Sequence, residues 1–424
     1  MRKAALHNLG CKVNAYETEA MQEMLEQNGY EIVPFAEGAD VYVINTCTVT
    51  NMADRKSRQM LHRARKMNPN AVVVAAGCYV QAQGAKADDC IDIIIGNNKK
   101  KDLIAILDEH FAKIEEKEPQ VELIDIAHTH EYEEMRVSRQ AEHTRANVKV
   151  QDGCNNACTY CIVHVARGRA SSRPAQAVVS ECVALAREGV REIVLTGINL
   201  GSWREQAENG YDRLDTLLER LLAETADIHE VGQPPCRFRI SSIEPRDVSD
   251  DLIGLMTRSK GRICRHLHLP LQSGNSKVLR EMHRPYNAEY FEGLVEKLYA
   301  AMPMLSLSTD IICGFPGETD QEFSDTVELA KRCRFTKIHV FPYSKRQGTP
   351  AAERADQVEP EVRSARAKHL REVADALRVQ QLSDRAGSTE LALVEEAGQA
   401  MTESYFEVPA PKGARIGQLV SVAL

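Results

Sequence analysis

Two series of short apolar runs, each alternating with longer segments of helical period, fill most of this 424-residue chain. Near-continuous apolar runs are what strands buried on both faces look like, and helices between them are the crossovers a parallel sheet requires. The first series predicts strands at Lys3 to Asn8, Val41 to Asn45, Ala71 to Ala76 and Ile91 to Ile95, with helices at Ala15 to Gln27, Ala53 to Lys66 and Lys100 to Phe111. That order predicts a doubly wound parallel sheet over residues 1–100. Residues 101–145 turn charged and irregular, as in Glu115-Glu116-Lys117-Glu118-Pro119 and Glu131-Tyr132-Glu133-Glu134, and read as a linker. The second series, over 146–375, predicts six strands at Asn147 to Val150, Glu192 to Leu195, Arg237 to Ser242, Arg265 to Leu269, Leu307 to Ile312 and Lys337 to Phe341. With helices such as Ala177 to Arg187, Leu214 to Leu222, Ala288 to Ala300 and Gln321 to Cys333 between them, they fit an open (β/α)6 barrel. After a charged helix at Glu361 to Arg378, a small all-β tail at 376–424 closes the sequence.

A hydrophobic content of 43% with 27% charged residues reads as a soluble protein, and no apolar run reaches membrane-spanning length. A cytoplasmic location with no membrane partner is the expectation. Twelve cysteines in such a chain point to metal or redox chemistry rather than a disulfide framework. The net charge of −8 argues against indiscriminate nucleic-acid binding, although local patches escape a total.

Three of the cysteines, Cys154, Cys158 and Cys161, form a Cys-x3-Cys-x2-Cys loop. Such a loop seats a 4Fe-4S cluster with only three thiolates, which leaves one iron open for a substrate or cosubstrate. A zinc knuckle, the alternative, usually pairs Cys-x2-Cys with a second such pair, and buried core cysteines are not expected together in one Asn- and Gly-containing loop. The loop resembles that of the radical S-adenosylmethionine (SAM) superfamily, including Tyr160 before the last cysteine. The resemblance implies that the open iron chelates SAM.

Cys11, Cys47 and Cys78 each follow the predicted end of a strand, and the carboxyl ends of parallel strands share one edge. Gly10 and Gly77 suit the tight turns there. Gly10-Cys11-Lys12-Val13-Asn14 with Glu17-Thr18-Glu19, Asn45-Thr46-Cys47 and Gly77-Cys78 resemble the N-terminal domain of the radical SAM methylthiotransferases. That family joins this domain to a radical SAM barrel and a small C-terminal TRAM barrel. The resemblance implies an auxiliary 4Fe-4S cluster on Cys11, Cys47 and Cys78, with an iron free for sulfur. The other six cysteines, Cys90, Cys182, Cys236, Cys264, Cys313 and Cys333, read as core thiols.

Family-like segments follow or span the barrel strands: Leu195 to Gly201, Ser241 to Pro245, Leu269 to Gly274 and Thr309 to Thr319. By resemblance Thr196, Gly197, Asn199, Ser241, Glu244 and Gln272 are candidates for SAM contacts, with Asp310 and Glu318 behind them. His266, His268 and His283 read as packing inside the barrel. Arg55, Lys56, Arg58, Arg63, Arg65 and Lys66 crowd one helix after the Cys47 loop, and Arg167, Arg169 and Arg173 follow the first cluster loop. These suit phosphate contacts that position RNA without reading its sequence. The tail resembles TRAM, with Tyr405 at its aromatic position and an abbreviated end.

Within the family, the motif at Cys11 is similar to the branch that modifies threonylcarbamoyl-adenosine 3′ of the tRNA anticodon. The implied chemistry is reductive cleavage of SAM, hydrogen abstraction from carbon 2 of the adenine by a 5′-deoxyadenosyl radical, and transfer of a methylated sulfur from the auxiliary cluster. It implies tRNA, an electron donor such as flavodoxin or ferredoxin, and a sulfur source as partners. Action on isopentenyl-adenosine or on a ribosomal-protein aspartate, or a non-catalytic iron-sulfur RNA-binding role, are the alternatives.

Overall fold

The computed structural model describes residues 1–84, 88–113, 119–129, 131–137 and 144–424. They divide into two compact bodies. The first comprises Met1–Ser138, Gln151–Asn156 and Cys161–Arg173; the second comprises Arg139–Val150, Ala157–Tyr160 and Pro174–Leu424.

The first body holds a six-stranded parallel sheet in the order β2-β1-β3-β4-β5-β6, built from β1 (Lys3–Asn8), β2 (Glu31–Ile32), β3 (Val41–Thr46), β4 (Val72–Gly77), β5 (Ile93–Ile95) and β6 (Gln120–Glu122). Every residue of β3 and β4 is buried, because both faces are covered. Val41 and Val43 face α1 (Lys12–Gln27) and α4 (Leu103–Ala112), whereas Tyr42 and Ile44 face α2 (Asn51–Met67) and α3 (Cys78–Gln83). Strand side chains alternate between faces, so an unbroken apolar run serves two cores at once.

The predicted linker is the main departure from the sequence reading. Besides the predicted helix, seen as α4, residues of 101–145 supply β6, and Glu133, 3% exposed, accepts hydrogen bonds from the backbone N–H groups of Asn98 and Lys101. Part of that segment, 114–118, 130 and 138–143, including Glu115 to Glu118, lies outside the described residues. The first body also takes in β8 (Gln151–Asp152), α5 (Val163–Arg167) and β9 (Ser171–Ser172), with β8 and β9 paired antiparallel.

The second body is the barrel. Strands β7 (Arg145–Lys149), β10 (Glu192–Thr196) and β13 (Arg237–Ile240) form one parallel ladder; β14 (His266–His268), β15 (Ser306–Cys313) and β16 (Lys337–Pro342) form another. Parallel bridges Phe238↔Ile263 and Ser242↔His268 join them into six strands, and among the described residues no ladder pairs β7 with β16. Helices α6 (Ala175–Arg187), α7 (Leu214–Glu224), α8 (Asp250–Arg258), α10 (Ala288–Ala301), α11 (Asp320–Arg332) and α12 (Pro360–Ser383) bury their apolar faces against it; a short α9 (Ser276–Glu281) and the hairpin β11 (Glu205–Ala207) and β12 (Gly210–Asp212) lie in the returns. Helix α11 starts at a capping box in which the Thr319 hydroxyl accepts the Glu322 N–H and the Glu322 carboxylate accepts the Thr319 N–H.

The tail forms an antiparallel sheet, β19-β18-β17-β20, from β17 (Thr389–Glu396), β18 (Gln399–Thr402), β19 (Glu407–Pro409) and β20 (Leu419–Ala423). It clusters with the barrel rather than apart from it. Arg237 and Arg239, at the amino end of β13, donate to the carbonyls of Leu391 (2.7 Å) and Glu403 (2.6 Å), and both grip the buried Glu192 that opens β10. The sheet therefore sits at the amino ends of the barrel strands.

Candidate functional site

Strands β1, β3 and β4 are neighbours in one parallel sheet, so Cys11, Cys47 and Cys78, each just past its strand, come to the same carboxyl edge. Cys11 caps α1 from an extended backbone and is exposed; Cys47 and Cys78 are buried. Gly10, at φ +117°, lies so close to Cys47 that a Cβ there would stand 3.1 Å from its sulfur. Gly77 holds φ +94°, and a Cβ would meet Asn45 Oδ1 at 2.5 Å and the Thr46 carbonyl at 2.8 Å. Burial pushes the Cys47 thiol up to about 11, and nearby Cys78 and Cys11 add to the rise. A thiol held in this way is poorly stable as a bare thiolate, and a bound cationic iron centre reverses that balance.

Beneath this edge runs a buried polar web. Asn14 Nδ2 donates to the carbonyls of Leu9 and Thr46, each at 3.0 Å, and Asn45 Nδ2 donates to the Asn14 carbonyl at 3.0 Å. Arg167 is at its centre. Its Nε donates to Cys78 Sγ at 3.1 Å, one terminal nitrogen to Glu17 at 2.5 Å and Asp152 at 3.1 Å, and the other to Asn14 Oδ1 at 2.7 Å and Glu17 at 3.1 Å. Lys100 reaches Glu17 from another side at 3.0 Å. The Arg167, Glu17 and Lys100 side chains are each 0% exposed. This corrects the expectation that Arg167 contacts phosphate. Arg173 is also internal, paired with Glu134 at 2.6 Å, whereas Arg169 is exposed. Arg167 escaped the sequence reading because its carboxylate partner lies 150 residues away.

In the loop of the second triplet, the Cys154 N–H donates to the Gly168 carbonyl at 3.0 Å, and Cys154 Sγ and Cys161 Sγ accept from the N–H groups of Asn156 and Val163, each at 3.4 Å. Cys158 is buried in the second body. There Arg284 donates to Cys158 Sγ at 3.1 Å, to the Glu244 carboxylate, and to the Tyr286 hydroxyl at 2.9 Å. The turn before Arg284 straps the loop: Thr159 donates its N–H to the Met282 carbonyl at 3.1 Å and its hydroxyl to the Glu281 carbonyl at 2.9 Å. His283 does not pack inside the barrel; it is exposed, with Nδ1 3.0 Å from the Ala157 carbonyl oxygen. Tyr160 packs against Val278, Met282, Phe315, Tyr343 and Ala351.

Thr196, Gly197, Asn199, Ser241, Glu244 and Gln272 all lie at the carboxyl ends of β10, β13 and β14 or just beyond. Ser241 Oγ is buried without a hydrogen-bond partner among the described residues, and Gln272 holds φ +66°. His266 and His268 share the Ser308 hydroxyl at 3.0 and 2.9 Å, and His268 Nε2 lies 3.2 Å from Asp310. Glu318 is structural: its carboxylate accepts the Gly314 N–H and pairs with Arg366 at 2.8 Å.

Residues 3–96 match the model of an uncharacterised protein family, UPF0004, and residues 148–330 match the radical SAM superfamily. The chain is 42% identical over 379 residues to the threonylcarbamoyladenosine tRNA methylthiotransferase MtaB of Bacillus subtilis (strain 168), covering 89% of this chain and 81% of that one. It is 34% identical over 425 residues to the MtaB of Aquifex aeolicus (strain VF5), covering 100% of both. This chain belongs to the radical SAM methylthiotransferase family. Another relative is the tRNA-2-methylthio-N(6)-dimethylallyladenosine synthase of Carboxydothermus hydrogenoformans (strain ATCC BAA-161 / DSM 6008 / Z-2901), 35% identical over 402 residues, covering 93% of this chain and 88% of that one. Among solved structures, the radical SAM methyltransferase TsrM from Kitasatospora setae shares the fold at a TM-score of 0.60 and 16% identity, covering 83% of this chain and 74% of that one.

As a radical SAM methylthiotransferase, the chain uses SAM and two 4Fe-4S clusters. The donor chemistry fits: two sets of three cysteines with no fourth thiolate in either motif, each set with one sulfur already receiving an arginine N–H. On the helix read as RNA-binding, Arg55, Lys56, Arg58, Arg63 and Lys66 are exposed. Arg65 is not available, since it donates to the carbonyls of Pro69, Ala71 and Cys90 and pairs with Asp92 at 2.5 Å. Tyr405 is likewise occupied. Its ring stacks 3.9 Å from the Arg239 guanidinium and edge-on to His266, in a turn with φ +61°. No helix among the described residues is long and apolar enough to cross a membrane.

Proposed function

We propose that this methylthiotransferase inserts a methylthio group at carbon 2 of N6-threonylcarbamoyladenosine, 3′ of the anticodon in tRNA. The observation that carries the reading is the pair of three-cysteine sets: Cys154, Cys158 and Cys161 in one Cys-x3-Cys-x2-Cys loop, and Cys11, Cys47 and Cys78 on the edge of the first sheet. The relatives named MtaB, 34 to 42% identical, support the nucleoside. A 4Fe-4S cluster held by Cys154, Cys158 and Cys161 would supply the electron for reductive cleavage of SAM, and one held by Cys11, Cys47 and Cys78 would supply the sulfur.

The protein's own groups bind and orient. The carboxyl ends of β10, β13 and β14 offer Thr196, Ser241 and Gln272 to SAM, and the Ser241 hydroxyl, without a partner among the described residues, is a buried polar atom that a ligand would satisfy. Arg284 fixes Glu244 beside Cys158, so that carboxylate is oriented before SAM arrives. The exposed cations of α2 and Arg169 give phosphate contacts. A flavodoxin- or ferredoxin-like donor, an external sulfur source and a cytoplasmic location complete the proposal.

The test is incubation of anaerobically reconstituted protein with SAM, reductant and tRNA carrying threonylcarbamoyl-adenosine or isopentenyl-adenosine, followed by mass spectrometry of digested nucleosides. A methylthio derivative of the first alone supports the proposal. Product from the isopentenyl substrate alone reassigns the substrate, and deoxyadenosine without either product refutes tRNA as the target.

A further inference from the structure

Arg167 belongs by sequence to the barrel loop, six residues after Cys161, yet its guanidinium closes on the edge of the first sheet. Helix α5 starts two residues after Cys161 and ends on Arg167, so the short helix sets the side chain's reach. Asp152, two residues before Cys154, holds one terminal nitrogen, and Glu17 and Asn14 hold the rest. These contacts leave Nε aimed at Cys78 Sγ. Asn14 Oδ1 also lies 3.5 Å from Cys11 Sγ, so one acceptor ties the guanidinium to a second cysteine of the same set.

A guanidinium needed only to neutralise Glu17 would gain nothing by turning its Nε–H to a sulfur, and Lys100 already supplies Glu17 with a cation. Hydrogen bonds to cysteine sulfur withdraw electron density and, with local charge, set the potential of an iron-sulfur centre. We propose that Arg167 is a positioning residue for the auxiliary site: its Nε–H on Cys78 raises the reduction potential of the group held by Cys11, Cys47 and Cys78. Arg284 on Cys158 is the corresponding contact in the second body.

This inference rests on the assignment of a cluster to Cys11, Cys47 and Cys78, and the experiment separates the two. In the full chain carrying C154A, C158A and C161A, the auxiliary cluster is reconstituted alone, and its midpoint potential and EPR spectrum are measured. Absence of iron there, with Arg167 intact, sinks the cluster assignment itself. Given a cluster, Arg167→Lys keeps the charge beside Glu17 but withdraws the directed N–H, and Arg167→Gln with Glu17→Gln removes the guanidinium together with its main carboxylate, while Lys100 and Asp152 lose one partner each. The expected result is a more negative potential and altered g values in both variants. A wild-type potential and spectrum in Arg167→Lys overturns the inference, whatever happens to iron binding in the double variant, and leaves Arg167 as the partner of Glu17 alone.

Discussion

Replacing Glu192 by Gln should loosen the tail sheet from the barrel. The Glu192 carboxylate is 1% exposed, 2.5 Å from Arg237 and 2.6 Å from Arg239, with Arg145 at 3.8 Å. Those two arginines also hold the carbonyls of Leu391 and Glu403 in the tail. Gln keeps the shape but leaves two buried guanidinium groups without a counter-charge, and breaking a buried pair in this way costs about 3–5 kcal/mol. For a body of this size, that is a drop in Tm of roughly 10 °C. Burial alone would raise the Glu192 pKa, but Arg237 and Arg239 outweigh it and hold the carboxyl well below the usual range. A depressed acid stabilises the fold above its unfolded pKa and loses that contribution as pH falls toward the folded value. The gap between wild type and variant should therefore stay constant from about pH 8 to 5 and narrow in acid. Calorimetry across that range reads both quantities. A variant within about 2 °C of wild type at pH 7, or a gap that widens in acid, refutes the reasoning.

Cys158→Ala should abolish SAM cleavage, whereas Cys47→Ala should keep deoxyadenosine formation and lose the methylthio product; sulfur insertion by Cys47→Ala would contradict two separate clusters. Gly77→Ala forces a Cβ against Asn45 and the Thr46 carbonyl at a positive φ, so a loss of more than about 1–2 kcal/mol and of iron from the auxiliary site is expected, read by thermal unfolding and iron content. Reversing Arg55, Lys56 and Arg63 to Glu should weaken tRNA binding and flatten its salt dependence, with SAM cleavage in the absence of tRNA unchanged; filter binding at two salt concentrations measures it.

Strands with unbroken apolar runs were readable within a residue or two. Lys3–Asn8 is observed as predicted, and Val41 to Thr46 differs by one position. Strand β6 was not readable, because Gln120, Val121 and Glu122 form an edge strand with one apolar side chain and no period to detect. The tail was half readable: the predicted all-β segment is broken at Tyr405, where buried Glu403 turns to Arg265 at 2.7 Å and the chain takes a left-handed turn. Cysteine spacing exposed both triplets. Arginine identity misled, since Arg55 on a surface helix and Arg167 in a buried web look alike until Glu17 and Asp152 are in place. Arg284 had no signal of its own, because its meaning depends on Cys158 and Glu244 across a fold.

The first body's second and third segments, Gln151–Asn156 and Cys161–Arg173, have a practical consequence for anyone who divides the gene. A fragment stopped at the charged stretch near residue 137 retains all six strands of its sheet, yet Asn14, Glu17 and Cys78 then surround a hole left by a missing guanidinium. A complementary barrel fragment carries Arg167 away from Glu17 and Asn14. Neither half is a faithful miniature of the enzyme. Iron content, spectra or RNA affinity measured on such pieces describe a protein whose interior has lost the pairing of Arg167 with Glu17.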